Sequence, residues 1–237
     1  IRDVERSRGL GDVYKRQEEA WKLFRKTAYS SLYSYPRFTW QTVISDQRRI
    51  SKIDLSDDYL QAIRLYASCA DELKSSELYR NDLIEFVSYY VAAKAENFYK
   101  QALKDDSENR VLAAQRNLQQ TVDLLMDVDR LLASHPLYRL EEWVELARNS
   151  GTTLQEKDAY EANAKRLITS WGGIQEDYAA RFWSGLIKDY YIPRIQLYFT
   201  KDRNKIREWE EQWITSPWSN STTPFDDPAV SYTHLTL

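Results

Sequence analysis

Apolar residues recur at helical spacing along most of this chain, and that spacing predicts where its elements lie. After Ser56, an N-cap candidate followed by Asp57 and Asp58, the residues Tyr59, Leu60, Ile63, Tyr66, Ala70 and Leu73 fall down one helix face. Leu78 to Leu103 places Tyr79, Leu83, Phe86, Tyr90, Ala93 and Asn97 on one line with Val87, Val91 and Phe98 beside it. That stripe is broad enough for a helix inside a bundle. A polar turn is expected at Asp105 to Asn109, and a second long helix from Val111 to Leu132, ending near His135-Pro136 because proline disfavours helix in its predecessor. Leu140 to Arg148 reads as a shorter helix stopped at Asn149-Ser150-Gly151. Thr153 to Glu156 is a capping box that opens the next helix, which carries Tyr160, Ala164, Leu167 and Ile168.

The remaining pattern is less regular. Trp21 and Phe24 predict a short amphipathic helix over 18–30. Residues 31–55 read as a long irregular connection, with Pro36 inside it and a brief β-like run from Trp40 to Ile44. Its aromatics Tyr33, Tyr35, Phe38 and Trp40 suggest a strap packed against a surface. Residues 169–198 hold Gly172, Gly173 and Gly185, three of the six glycines in the chain, among two tryptophans and four tyrosines. The glycine pair predicts a turn, and Gln175-Glu176-Asp177 a helix start that would carry Ala179, Trp183, Leu186 and Tyr190 on one stripe. Gly185 would let another helix approach, and Pro193 would kink or restart this helix. A last helix, Asn204 to Ile214, shows Ile206, Trp209 and Trp213, and the chain beyond Pro217 reads as a loose tail. No strand set is visible, so the fold expected is all-α, an irregular multi-helix bundle of about seven helices.

Composition narrows the function classes. With 43% hydrophobic and 29% charged residues, 237 residues can bury a sizeable core. A formal charge of -3 offers no broad footprint for nucleic acid or an anionic membrane, and no apolar run is long enough to span a bilayer. The single cysteine, Cys69, excludes an intrachain disulfide and reads as a small buried hydrophobe. Two histidines are too few for nucleophilic triads or for the Glu-x-x-His pairs of a di-metal bundle. Gly172-Gly173 lacks the Lys-Ser/Thr of a phosphate loop. Neither a metal nor a cofactor is expected.

Three residues remain as substrate-binding candidates: Trp171, Asp177 and Tyr178. Trp171 precedes two glycines in a turn, where a flat indole can stack on the C–H face of a sugar ring; it can equally be core. Asp177 reads first as a first-turn charge paired with Arg181 at i, i+4, and second as a ligand to substrate. The Tyr178 phenol can reach a hydroxyl or simply pack. Arg207, Glu208, Glu210 and Glu211 read as the polar faces of the last helix.

An ordered series of motifs carries a resemblance: Asn163-Ala164-Lys165-Arg166, Ile168-Thr169-Ser170-Trp171-Gly172, Asp177-Tyr178-Ala179, Trp183-Ser184-Gly185-Leu186 and Tyr190-Tyr191-x-Pro193-Arg194. With Tyr79 to Ile84 and the stretch from His135 to Arg148, this series resembles the C-terminal helical domain of the α-N-acetylglucosaminidases, glycoside hydrolase family 89. Two departures are Ile195, where the family usually has tryptophan, and Trp-Gly-Gly in place of a common Trp-Gly-Pro. The resemblance implies an exo-acting enzyme that releases terminal α-linked GlcNAc from glycans by a retaining mechanism with two glutamates. Those glutamates stand on a (β/α)₈ barrel that, with a small N-terminal domain, precedes this one. It implies that this chain supplies no catalytic residue and lines one wall of the pocket through Trp171, Asp177 and Tyr178. It also implies a secreted, periplasmic or lysosome-like location. Residues 1–17 and 230–237 resemble translated sequencing-adapter tails, which leaves 18–229 as the domain. The alternatives are a non-enzymatic helical scaffold or protein-interaction module, and an independent carbohydrate-binding domain.

Overall fold

The computed structural model describes residues 2–27, 38–42, 56–171 and 179–225, with backbone alone for 2–10 and Arg203. Nine α-helices lie among them: α1 (Arg2–Lys26), α2 (Asp57–Ala67), α3 (Ala70–Leu73), α4 (Glu77–Ser107), α5 (Val111–Leu132), α6 (Leu140–Asn149), α7 (Leu154–Leu167), α8 (Ile192–Tyr198) and α9 (Arg203–Thr215). The fold is all-α. The one β pairing among the described residues is a single parallel bridge between Arg139 and Ser184.

Helix α4 is the axis. It buries Tyr79, Leu83, Ile84, Phe86, Val87, Tyr90, Val91 and Tyr99 together with Ala92, Ala93, Ala95 and Ala102, so its apolar surface wraps round instead of forming one stripe. The alanines leave room for α5 to lie close, and Thr121 Oγ1 on α5 donates to the Ala95 carbonyl at 3.5 Å. The turn between these helices is shorter than expected. Asp105 stays in α4 because it is buried and accepts from Gln101 at 2.8 Å, Arg110 Nε at 2.9 Å and Asn117 at 2.8 Å; Asn109 then reverses the chain at φ 58°.

At the other end, α1 and α2 pack on α4 through aromatics. Phe24 lies 4.1 Å from Phe86 between ring centroids, and Trp21 meets Phe86 edge-on at 5.4 Å. The expected helix over 18–30 extends back to Arg2: Val13 is buried, and Arg16 donates to Ser68 and pairs with Glu72 at 2.9 Å. The single helix expected over 56–73 is broken at Ser68-Cys69. There Arg16 takes the Ser68 carbonyl, and the Tyr79 hydroxyl donates to the Tyr66 carbonyl at 2.9 Å. Ser56 caps α2, its hydroxyl accepting from Tyr59 N–H at 3.3 Å.

Only residues 38–42 of the long connection are described, and they form a short 3₁₀ turn, not the expected β run. Trp40 is fully buried, stacked on Phe38 at 5.0 Å and edge-on to Tyr191 at 5.5 Å. Thr39 N–H donates to the buried carboxylate of Glu96 at 2.8 Å, which fastens this segment to α4. Tyr33, Tyr35 and Ile44 lie outside the described residues.

The aromatic helix expected over 175–198 starts later. Ala180–Trp183 run without helix, and Ser184 pairs with the backbone before α6, its N–H donating to the Tyr138 carbonyl at 2.7 Å. Helix begins at Leu186, takes a wide π turn over Ile187–Tyr191 and continues as α8, with Pro193 just beyond the π turn. Gly185 is a left-handed residue at φ +85°, not a helix-approach site inside a helix. A Cβ there would stand 2.7 Å from the Trp218 ring and 3.2 Å from Leu140. Trp218 belongs to the stretch expected to be loose. In the fold, residues 216–225 form a strap: Trp218 Nε1 donates to Asp189 at 2.9 Å, Thr222 Oγ1 to Asp129 at 2.6 Å, and Lys188 Nζ to the Ser221 carbonyl at 2.8 Å.

Gly185→Ala therefore meets both a disfavoured φ and a ring in the way. A loss of about 1–3 kcal/mol is expected, lowering Tm by roughly 3–10 °C in calorimetry. An unchanged Tm would contradict this account of the Gly185–Trp218 contact.

Candidate functional site

Helix α7 sets the position of Trp171. It opens on the predicted capping box: Thr153 Oγ1 accepts from Glu156 N–H at 3.2 Å, and Glu156 accepts from Thr153 N–H at 3.1 Å and Thr152 N–H at 2.8 Å. The Thr152 hydroxyl, followed by these two N–H groups, draws the Glu156 carboxyl down to about 2. One face of α7 packs on α6, where Trp143 Nε1 donates to the Ala164 carbonyl at 2.9 Å. A shallow groove of about 250 Å³ lies between these helices, with Trp143, Leu146, Tyr160 and Leu167 among its walls.

The other face of α7 is charged and nevertheless buried. Glu161 pairs with Lys165 at 2.9 Å and Arg148 at 2.6 Å and accepts from Trp218 N–H at 2.6 Å. Lys165 Nζ donates to the carbonyls of Trp213, at 3.0 Å, and Ser216. Burial lowers the Lys165 ammonium pKa, and Glu161 opposes that shift. One residue on, Arg166 makes a two-pronged bridge to Glu211 of α9 at 2.7 and 2.8 Å. The helix then closes: Thr169 Oγ1 donates to the Lys165 carbonyl at 2.7 Å, and Trp171 N–H reaches back to the Arg166 carbonyl at 2.9 Å.

Trp171 is 38% exposed, whereas each of the other seven tryptophans is buried or packed against the core. It is the one tryptophan of the eight that is exposed instead of half-buried or buried. Asp177 and Tyr178, the other two candidates, lie outside the described residues. The chain is described again from Ala179, and Arg181 is anchored firmly. Its carbonyl accepts from Tyr191 OH at 3.0 Å and from Gln41 Nε2 at 3.4 Å, and its guanidinium donates to the Ala179 carbonyl at 2.9 Å. Residues 180–183 are not helical, and the expected pairing of Asp177 with Arg181 lies outside the described residues.

Sequence reasoning passed over the buried charges that build this frame. Glu210, read as part of a polar face, is buried; it accepts from Tyr190 OH at 2.8 Å and pairs with Arg194 at 3.0 Å. Arg194 in turn donates to the Gln41 carbonyl. Asp129 accepts from Gly185 N–H at 2.8 Å, Lys188 N–H at 3.1 Å and Ser184 Oγ at 3.2 Å as well as from Thr222. Each of these acids is occupied in holding backbone or a cation, so none is placed to act as acid, base or nucleophile. No group of three or more metal-ligating side chains occurs among the described residues, and no helix there is long and apolar enough to cross a membrane. What the arrangement offers is a rigid mount for an aromatic ring.

The sequence model of the alpha-N-acetylglucosaminidase (NAGLU) C-terminal domain matches residues 6–236. The chain belongs to this family. It is 31% identical over 144 residues to alpha-N-acetylglucosaminidase of Homo sapiens, a stretch that covers 60% of this chain and 19% of the human protein. Its fold is similar to part of a family 89 glycoside hydrolase from Clostridium perfringens solved in complex with PUGNAc, with a TM-score of 0.78 and 21% identity over 93% of this chain and 29% of that one. A further chain from that organism, solved with its substrate GlcNAc-alpha-1,4-galactose, gives a TM-score of 0.77 and 21% identity over 94% and 29%. This chain thus spans about a fifth of the human relative and under a third of the bacterial structures.

The charges beneath this family's domain surface give it a definite pH response. Burial raises the pKa of Asp129 against the opposing bonds from Thr222, Gly185 and Lys188, and raises that of Asp189 against its bond from Trp218. An acid raised on folding holds its proton in the folded chain after the unfolded chain has lost it. The stability it contributes is full below about pH 3.9 and is lost as pH rises through the raised value. Asp129→Asn keeps an acceptor for the Gly185 and Lys188 N–H groups and does not ionise. Denaturation at stepped pH should show the wild-type chain losing stability relative to this variant as pH rises above about 4; a difference independent of pH would refute the assignment.

Proposed function

We propose that this chain is the C-terminal helical domain of an exo-acting α-N-acetylglucosaminidase and forms one wall of its substrate pocket. The observation that carries this reading is Trp171, the one tryptophan outside the core, held at the end of α7 in a chain that the family's domain model matches almost throughout. Its indole face would stack on the C–H face of a terminal α-linked GlcNAc, and Asp177 and Tyr178 of the same segment would meet the sugar's hydroxyl groups. The bacterial relative solved with GlcNAc-alpha-1,4-galactose supports this ligand class.

Hydrolysis with retention needs two carboxylates about 5–5.5 Å apart, one as nucleophile and one as acid and base. In this proposal both come from a barrel domain elsewhere in the same polypeptide. The chain by itself is then inactive, its first partners are the N-terminal and barrel domains, and a terminal α-GlcNAc glycan reaches it only in the assembled enzyme. The enzyme class points to a secreted, periplasmic or lysosome-like setting.

In the complete polypeptide, Trp171→Ala should lower kcat/KM for an α-GlcNAc substrate by roughly 10- to 100-fold, corresponding to about 1.4–2.7 kcal/mol. Tm should move by less than about 3 °C, because the ring stands at the surface. A large fall in Tm with unchanged activity per folded molecule would make Trp171 a packing residue and sink the proposal.

A further inference from the structure

We propose that Lys165 and Arg166 are positioning residues for Trp171, transmitting the rigidity of α9 and the C-terminal strap to the exposed indole. The inference rests on the pocket-wall reading of Trp171 and adds which residues aim it. The carbonyls of these two consecutive residues hold everything between the end of α7 and Trp171. That of Lys165 accepts from Ile168 N–H at 3.3 Å and Thr169 Oγ1 at 2.7 Å, and that of Arg166 from Thr169 N–H at 3.3 Å and Trp171 N–H at 2.9 Å. Their side chains leave in the other direction and grip the neighbouring element. Lys165 Nζ reaches the Trp213 and Ser216 carbonyls, and its ammonium lies 5.1 Å from the Trp213 ring centre. The guanidinium of Arg166 is forked on Glu211.

A helix C-terminus is ordinarily the part that frays, since its last carbonyls lack partners within the helix. Here those carbonyls are satisfied by the segment leading to Trp171, and the residues that own them are clamped from the side. Moving the backbone from which the indole projects would require breaking the Trp171 N–H bond to Arg166 or turning the end of α7 against two anchored cations. Arg166 provides direction as well as attachment: its planar fork on a carboxylate fixes an angle that an ammonium would leave loose. Neither cation faces the sugar in this arrangement. Both act through the backbone, so their removal should be felt only while Trp171 is present.

A double-mutant cycle on the complete polypeptide tests this. Arg166→Ala changes a partly exposed bridge and should leave Tm within about 3 °C; Lys165→Met removes the buried cation and serves as the second variant where it folds. Each should lower kcat/KM for an α-GlcNAc substrate by roughly 3- to 10-fold alone, and by less than about 1.5-fold in a Trp171→Ala background. Arg166→Lys should restore only part of the Arg166→Ala loss. Equal losses with and without Trp171, or no loss from Arg166→Ala, would overturn the positioning role and leave the pocket-wall reading standing if Trp171→Ala is itself impaired. A neutral Trp171→Ala would overturn both.

Discussion

The buried pair of Glu161 and Lys165 is the interaction on which the C-terminal half of this domain depends. Both side chains are withdrawn from water, and a charge so placed is tolerated only when paired and fully hydrogen-bonded. Glu161 collects Lys165, Arg148 and the Trp218 N–H; Lys165 adds the carbonyls of Trp213 and Ser216. Through these bonds α6, α7, α9 and the strap meet at one point. Removing Glu161 would leave the Lys165 ammonium buried without a counter-ion, a change that typically costs about 3–5 kcal/mol, whereas removing Lys165 would leave Glu161 paired with Arg148. Replacing both by apolar residues of similar volume would cost far less. The pair is thus better understood as fixing which elements meet than as adding stability.

The same device recurs where the chain is least regular. Gly185 turns left-handed, the helix after it begins as a π turn, and the N–H groups of a first helical turn have no partner within the helix. Asp129 takes two of them, from Gly185 and Lys188, and uses its other oxygen for Ser184 and Thr222. One carboxylate therefore holds an irregular helix start and the strap that covers it. Arg194 and Glu210 do the corresponding work on the opposite side, linking α8, α9 and the Trp40 turn through the Gln41 carbonyl. Gln41 carries this on to Arg181, so the two ends of the segment bearing the candidate residues each lead back to an ion pair: Trp171 through the Arg166 carbonyl to the residue bridged to Glu211, and Arg181 through Gln41 to Arg194–Glu210.

This explains what could and could not be read from the sequence. The long helices were legible because their stability comes from wide apolar faces and recognisable caps; α5 runs from Val111 to Leu132 as expected, and Thr153 caps α7. The strap was not legible, because its hold depends on hydrogen bonds to distant carboxylates and a single tryptophan, and local composition carries no trace of those. The start of the aromatic helix was missed because Ser184 pairs with Tyr138, a tertiary bond that overrides local propensity. The buried charges did leave a signal. Glu210 stands four residues from both Ile206 and Ile214, and Asp129 lies between Leu125 and Leu132. A charge inside an apolar stripe of a helix marks a buried partner elsewhere, and reading such positions as solvated faces discarded that information. Asp177 and Tyr178 entered as candidates through their place at an expected helix start, whereas Trp171 had its glycine-flanked position to distinguish it.

That distinction bears on how this all-α bundle leaves one aromatic ring exposed. Eight tryptophans in 237 residues is a heavy investment in large rings, and seven of them serve packing, several also donating an indole N–H inward, as Trp143 does to Ala164 and Trp218 to Asp189. Trp171 differs because the helix that would have carried it inward has already closed at Leu167, and the backbone after it is spent on capping carbonyls. Its exposure thus follows from where α7 ends, and α7 ends there because Lys165 and Arg166 engage α9 on one side while their carbonyls accept the departing chain on the other. Presentation of the ring is a property of the bundle's charged seams, which is why a surface feature of one residue depends on ion pairs buried several residues away.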